Sequence, residues 1–534
     1  MKRALLFLLG VVLSYPAVAA TKFVTQSGVA TWANCGVLSA PCSMSTAQTN
    51  VAAGDTICAS GPMTSGINTA TAGSSGSRIV LDGSGEGLCI GATPASTGNT
   101  GSAFNFVTID QPYWTVRGFT FGSMNNAADA NSQVGITPGG DYALIEDNVF
   151  DGNNGTSASG YMGIIGNINN TTTDIPGVTI QDNEFRNFGQ DAIRMVPRNA
   201  TGGCTASIGN FVNLLVQRNR FKNVRTTVRT GAIYANESEL TSCMDGRPVG
   251  FRYLSNWVNG TTQNGVNFDC QSTGECVVGW NTFRGNGLGV SDTYNVIQTG
   301  KADGGRIIFN RILGGVRDLG GAGDGSGIIA DHAGTFRTLQ TQDLFIGWNY
   351  VEGATSNTEA CGIMVWSADN VLAVGNVLNG NHINLCVANS DSTGFKAYNN
   401  TMANPVTENV EYSVSAAASE LKNNILYGGV NAVAIEAPST APTDGGNLMF
   451  GHTGAQVSGT FTPSSPIVAD PQFSGGPRPT TDTGFRLKPT SPAIGAGVYV
   501  GKVYDYDGAK MPIPANIGAF GQHMAASRRT ATMQ

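Results

Sequence analysis

Arg194, Tyr234, Asp269, Lys301 and Asp331 are the side chains of this chain that could do chemistry together. Each follows, by one to four residues, an aliphatic residue that recurs at one place in a repeated pattern. A cation that neutralises a carboxylate, a base that takes the neighbouring carbon-bound proton and an acid that protonates a leaving oxygen are the equipment of a β-elimination. Arg194 fits the first role, with Arg198 in support, and Tyr234 or Lys301 fits the base or acid. Two carboxylates facing one bond are the equipment of a hydrolysis, and Asp269 and Asp331 supply that pair.

The elements that would position these residues are short strands. An apolar–polar alternation ending in Asn and an apolar residue recurs, as in Leu144-Ile-Glu-Asp-Asn148-Val-Phe, Val178-Thr-Ile-Gln-Asp-Asn183-Glu-Phe and Leu214-Leu-Val-Gln-Arg-Asn219-Arg-Phe. It continues through Asn256, Asn281, Asn310, Asn349, Asn376, Asn400 and Asn424, at steps of 24 to 39 residues. Period-two alternation means strands, and a repeat of this length with variable insertions is what a β-solenoid produces. An Asn at one turn of every coil would stack on the next about 4.8 Å along the axis, so these amides are expected to be structural.

A second alternating segment in each coil can be aligned on Ile136, Ile164, Ile193, Ile233, Val266, Ile297, Ile328 and Ile363 as inward residues. One residue later, facing out, come Thr137, Ile165, Arg194, Tyr234, Asn267, Gln298, Ile329 and Met364. Three residues later come Gly139, Asn167, Val196, Asn236, Asp269, Gly300, Asp331 and Trp366, with Lys301 and His332 one place further. This alignment predicts a polar line along the axis in which Asn236, Asn267, Gln298, His332, Trp366 and Arg198 bind and the five residues above react. Asp269 and Asp331 fall two coils apart, about 9.6 Å at about 4.8 Å per coil, just beyond the upper end of the inverting range of about 6.5 to 9.5 Å.

On these repeats the chain resembles the right-handed parallel β-helix, or pectate-lyase-like, superfamily. Val51-Ala-Ala-Gly-Asp55-Thr-Ile and Arg78-Ile-Val-Leu-Asp82-Gly resemble the opening coil of secreted members. Asp470-Pro-Gln-Phe473, Ser491-Pro-Ala-Ile-Gly-Ala-Gly497 and Asn516-Ile-Gly-Ala-Phe520 resemble the segment that closes the last coil. The resemblance implies an all-β solenoid over nearly the whole mature chain. It does not select a reaction, because the superfamily holds lyases, hydrolases, esterases, epimerases, spikes and adhesins. The paired Asp, Gly-His-Gly and Arg-Ile-Lys pattern of the polygalacturonase-like hydrolases is not found. The Arg-x-Pro-Arg signature of the best known pectate lyases is not matched either, since Arg194-Met-Val-Pro-Arg198 is one residue too long.

Composition agrees with a solenoid. Of 534 residues 72 are Gly and only 13% are charged, so the chain is rich in turns, and 41% hydrophobic content is too high for disorder. A net charge of −7 gives no general attraction to nucleic acid. Between Arg186 and Arg252, however, ten Lys and Arg stand against Asp191, Glu237, Glu239 and Asp245, a net of +6. Residues 1–20 read as a cleaved signal peptide, with Lys2-Arg3, an apolar run and Ala17-Val18-Ala19, so a secreted, periplasmic or cell-surface protein without a membrane span is expected. Ten cysteines suit an oxidising compartment. Local pairings would be Cys35–Cys42, Cys58–Cys89, Cys204–Cys243, Cys270–Cys276 and Cys361–Cys386, although sequence alone does not fix connectivity.

The expected organisation is therefore an N-terminal cap and opening coils over 21–110, a β-helix over 111–435 and a closing segment over 436–534. The sequence specifies no cofactor. Ca2+ is possible, and the acidic Gly-rich stretch Gly320 to Gly327 with Asp324 reads as a loop. The expected activity is β-elimination on an anionic polysaccharide lying in the groove, with hydrolysis on the same groove, or binding alone as in an adhesin or spike, as alternatives.

Overall fold

A computed structural model describes residues 19–64, 66–97, 105–122, 132–152, 162–169, 173–198, 209–230, 248–271, 273–285, 295–314, 325–331, 341–355, 359–388, 392–413, 418–436 and 440–521. Side chains at 167–169, 196–198 and 301 lie outside that description. The predicted signal peptide, Cys204, Cys243, Tyr234, Asn236, His332 and the 320–324 stretch also fall outside it.

Every coil repeats the same three strands in parallel. The first face is a row of strands that begins at Thr21–Val24, passes through Leu144–Glu146, Phe211–Gln217, Cys276–Gly279 and Lys396–Tyr398, and ends at Thr443–Gly445. The second face follows the Asn turn, as at Val149–Asp151, Trp257–Thr261 and Thr282–Arg284, and the third carries the aliphatic alignment, as at Val266–Cys270 and Cys361–Val365. Faces two and three join into one 26-stranded sheet because Glu184–Arg198 and Arg220–Arg229 run through the corner between them. The stacking extends beyond 111–435 at both ends, from Thr21–Val24 to Val457–Ser458. This is the parallel β-helix that the repeats predict.

The Asn ladder is what fixes the coil. The amide Nδ2 of Asn148 donates to Oδ1 of Asn183 at 3.0 Å, and the chain of bonds continues through Asn219, Asn256, Asn281, Asn310, Asn349, Asn376, Asn400 and Asn424 to Asn447 at 2.9–3.2 Å. Each Oδ1 also accepts the backbone N–H of the Asn one rung earlier, so a buried amide has its groups paired. The left-handed residue of this turn is the one before the Asn, for example Asp147 at φ 53°, Asp182 at 55° and Trp280 at 57°. Two residues after Asn148, Asn183 and Asn219 a Phe points inward, and Phe150, Phe185 and Phe221, with Phe121 of the preceding coil, stack at centroid spacings of 4.6–5.1 Å.

Three of the proposed pairings are disulfides: Cys35–Cys42, Cys58–Cys89 and Cys361–Cys386. Cys270–Cys276 is a correction: both are buried thiols, and hydrogen bonding to Cys276, then burial, pushes the Cys270 thiol up. Residues 459–521 carry little regular structure and lie against the second face. Phe473, Phe485, Ile517 and Phe520 pack on Tyr350, Val377, Ile425 and Leu448 there, and Arg311 pairs with Asp482 at 2.7 Å. Over the coils from Arg311 to Leu448 that face is covered from the outside.

Candidate functional site on the third face

The register along the third face corrects the sequence alignment in two coils. The inward line is Val134, Ile164, Ile193, Val228, Val266, Ile297, Ile328, Ile363, Leu385, Val410 and Val433. Val134 replaces Ile136, because both have inward parity and the rung is chosen by the neighbouring coil. Val228 replaces Ile233. Thr137 and Gly139 therefore leave the predicted places, and the position assigned to Tyr234 belongs to Arg229.

The first outward column then reads Arg194, Arg229, Asn267, Gln298, Ile329, Met364, Cys386 and Glu411, each directly opposite the next. Arg194 is not the freely exposed cation that the sequence suggests. Its Nε donates to Asp191 Oδ2 at 2.8 Å, Arg229 Nε stands 3.2 Å from the same oxygen, and the side chains are 11%, 12% and 0% exposed in the order Arg194, Arg229, Asp191. Asp191 reaches this place because the strand pair slips register between Phe188 and Asp191, a β-bulge that turns the carboxylate under the two guanidinium groups. Burial works to raise the Asp191 pKa, but Arg229, Arg194 and Arg225 overcome it and hold the carboxyl below its ordinary range. Arg225 Nη1 donates to Gln190 Oε1 at 2.8 Å, and Arg194 Nη2 shares that oxygen at 3.5 Å. Three guanidinium groups thus surround one carboxylate, an excess of two positive charges.

The second outward column follows one rung further on. Asp269 is buried, its backbone N–H donates to Thr230 Oγ1 at 3.2 Å, and its Oδ1 accepts the Gly300 N–H at 3.3 Å. Gly300 occupies the next rung, at a register shift that also carries Lys301, and Asp331 and Trp366 follow, with Asp331 N–H bonded to Thr299 O and Trp366 N–H to Ala330 O. Gly300 itself contributes no side chain between the two aspartates. Gln298 is fixed across this gap: its Oε1 accepts from Asn264 Nδ2 at 2.9 Å and its Nε2 reaches Asp331 Oδ2 at 3.5 Å. Asn267 is buried in the same column as Gln298. Trp366 is half-buried against Ile329, Met364, Ile383 and the Cys361–Cys386 disulfide, which holds its indole in place.

Further along the axis the face turns acidic. Burial, then Glu436 and Glu408, push the Glu411 carboxyl up to about 7. Among the described residues no cluster of His, Cys, Asp and Glu is arranged to hold a metal ion. The register places Arg194, Asn267, Gln298, Asp269, Asp331 and Trp366 on one face, together with Asp191, Arg225, Arg229 and Glu411, which the sequence did not single out. The readable signal was the pair Val228-Arg229, which repeats Ile193-Arg194.

No protein-family model and no curated protein matches the chain. Solved structures do. A PL6 family polysaccharide lyase from Pseudopedobacter saltans is similar at 13% identity and TM-score 0.40, over 76% of this chain and 90% of that one. The A-module of the Azotobacter vinelandii mannuronan C-5 epimerase AlgE6 is similar at 13% and 0.36, over 78% and 92%. The GH136 lacto-N-biosidase from Eubacterium ramulus is similar at 10% and 0.40, over 82% and 68%. The coil-by-coil register of this chain itself establishes the fold: the chain is a parallel β-helix.

Proposed function

We propose that the protein cleaves an anionic polysaccharide by β-elimination on the third face. The observation that carries this reading is the adjacent pair Arg194 and Arg229, held by one buried carboxylate and left with an excess of positive charge. A uronate carboxylate is the ligand that such a forked, pre-oriented donor set matches. Its neutralisation is what makes the proton on C5 removable.

Asp269 is the base within reach. It lies one rung from Arg229 and two residues along the strand from Asn267, about 8 Å between Cα atoms from strand spacing and rise, a span one sugar ring can bridge. Asp269 takes the C5 proton, the released electron pair forms the C4=C5 double bond, and the C4–O4 bond breaks. The leaving oxygen takes its proton from Tyr234 or Lys301, assigned by their chemistry. Asn267 and Gln298 orient the ring hydroxyls. The protein would act outside the cytoplasm, as its signal-like first twenty residues and its disulfides suggest.

One observation favours a second reading. Asp269 and Asp331 flank the empty Gly300 position, an arrangement that would suit hydrolysis by two carboxylates. A panel of uronate-containing and neutral glycans, read for unsaturated-uronate absorbance and for new reducing ends, separates the readings. Absorbance with new ends supports elimination; ends without absorbance move the reaction to the aspartate pair. Binding with no cleavage would make the groove an adhesin surface and refute the enzyme.

A further inference from the structure

The charges on the third face are ordered along the axis. Among the described side chains of the two outward columns, the cations stop at Arg229. Beyond it the first column is uncharged through Asn267, Gln298, Ile329, Met364 and Cys386, and its next charged member is Glu411, six rungs on and so about 29 Å from Arg229 at about 4.8 Å per rung. In the second column the charged side chains among the described ones are all acids, namely Asp269, Asp331 and Glu436, the side chain of Lys301 lying outside the description. Glu408 and Glu359 add to the negative field that Glu411 feels.

A homopolyuronate laid along this groove would seat one or two carboxylates on the arginines and bring the following ones over Asp331 and then Glu411. These distances exceed the Debye length of about 8 Å at physiological salt, so Arg229 cannot compensate that repulsion. An uncharged sugar meets no such penalty. It also finds a platform: Trp366 follows Asp331 and is followed by Ala388, so its indole stands above its neighbour on the far side. Flat apolar sugar faces pack on such rings. Gln298, already oriented by Asn264, offers an amide to hydroxyls between the two places.

We infer that the substrate is a mixed chain, in which a uronate over Arg194 and Arg229 is followed along the axis by uncharged sugars over Gln298 and Trp366, rather than a homopolyuronate. This rests on the arginine pair being the uronate seat.

The test measures binding and initial cleavage by the full chain on alginate and polygalacturonate, which are homopolyuronates. It compares them, at equal uronate concentration, with hyaluronan and deacylated gellan, in which uronates alternate with or are separated by uncharged sugars. At least one mixed polymer should be preferred by about tenfold or more, and Trp366→Ala should lose most of that preference, with Trp366→Phe retaining the packing and much of the binding. The double variant Glu411→Gln/Glu436→Gln should bind homopolyuronates better. Equal or better use of alginate or polygalacturonate by the parent chain overturns the mixed-chain inference. Arg229→Ala separates the two levels: if it abolishes binding while homopolyuronates are preferred, the seat stands and the inference fails. If it changes nothing, or no polymer binds the parent, the seat itself is wrong and the inference falls with it.

Discussion

Replacing Asp191 by Asn removes the one carboxylate that holds Arg194 and Arg229 together while keeping the size of the side chain. The guanidinium nitrogens stand 2.8 and 3.2 Å from Asp191 Oδ2, and the carboxylate is fully buried. With charge centres about 4 Å apart and an effective dielectric near 20, each attraction is worth about 4 kcal/mol before desolvation. Burial opposes the charged form, and Arg229, Arg194 and Arg225 favour it, with the net shift of the Asp191 carboxyl downward. Asn leaves two nearly buried cations beside Arg225 without compensation, and breaking a buried ion pair from one side costs about 3–5 kcal/mol. Urea unfolding and native-state hydrogen exchange of strands Glu184–Arg198 and Arg220–Arg229 measure it. The sign with pH is fixed: a carboxylate whose folded pKa lies below its unfolded value of about 3.9 contributes fully above that value and loses the contribution as pH falls through the folded one. The difference between parent and variant should therefore shrink in acid. A loss below about 0.5 kcal/mol at neutral pH, or a difference independent of pH down to full protonation, would refute the counter-ion role.

Other outcomes follow from the same geometry. Asn310→Ala removes two donated bonds, to Asn349 and Val278, and two accepted from Asn281, all buried, and should cost about 4 kcal/mol at roughly 1 kcal/mol per bond, read as a lowered urea midpoint. Arg229→Ala should lower kcat/KM on the cleaved polymer by about a hundredfold or more with the circular dichroism spectrum unchanged, as should Asp269→Asn; unchanged activity in both sends the search to another face. Peptide mapping should find Cys361 linked to Cys386 and Cys58 to Cys89, with Cys270 and Cys276 alkylated after unfolding without reductant. Glu411, raised to about 7, favours the folded state in its protonated form, so stability should fall as pH rises from its unfolded value through about 7; Glu411→Gln should remove that slope in pH-dependent thermal melts.

The coil was legible because its signals are local. The Asn of each coil specifies a turn and a ladder within seven residues, and an inward ring as well where an aromatic follows two residues later, as at Phe150, Phe185, Phe221 and Phe283. Parity was legible too: Arg194, Asn267 and Gln298 face out as alternation requires. Rung assignment was not. In Ser132-Gln-Val-Gly-Ile136 two residues share inward parity, and only pairing with Ile164 selects Val134. After Arg220 the third-face strand continues from the second without a break, so Val228, five residues before Ile233, takes the inward place opposite Val266. Asp191 was invisible for a different reason, since the bulge that buries it arises from pairing with the next coil.

Stability and chemistry are carried by different positions in this fold. The inward aliphatic line and the Asn ladder are buried and paired whatever stands in the outward columns, so outward residues can be ordered by charge without disturbing the coil. At Asp191 a charge enters a fully buried place within the third-face strands. A buried carboxylate that needs two arginines to keep it ionised stabilises the protein no better than well-packed hydrophobic residues would. What it adds is a fixed direction for two guanidinium groups on neighbouring rungs. A regular solenoid gives no structural reason for a charge there, and under the proposed reading that fixed direction is the seat of the uronate carboxylate.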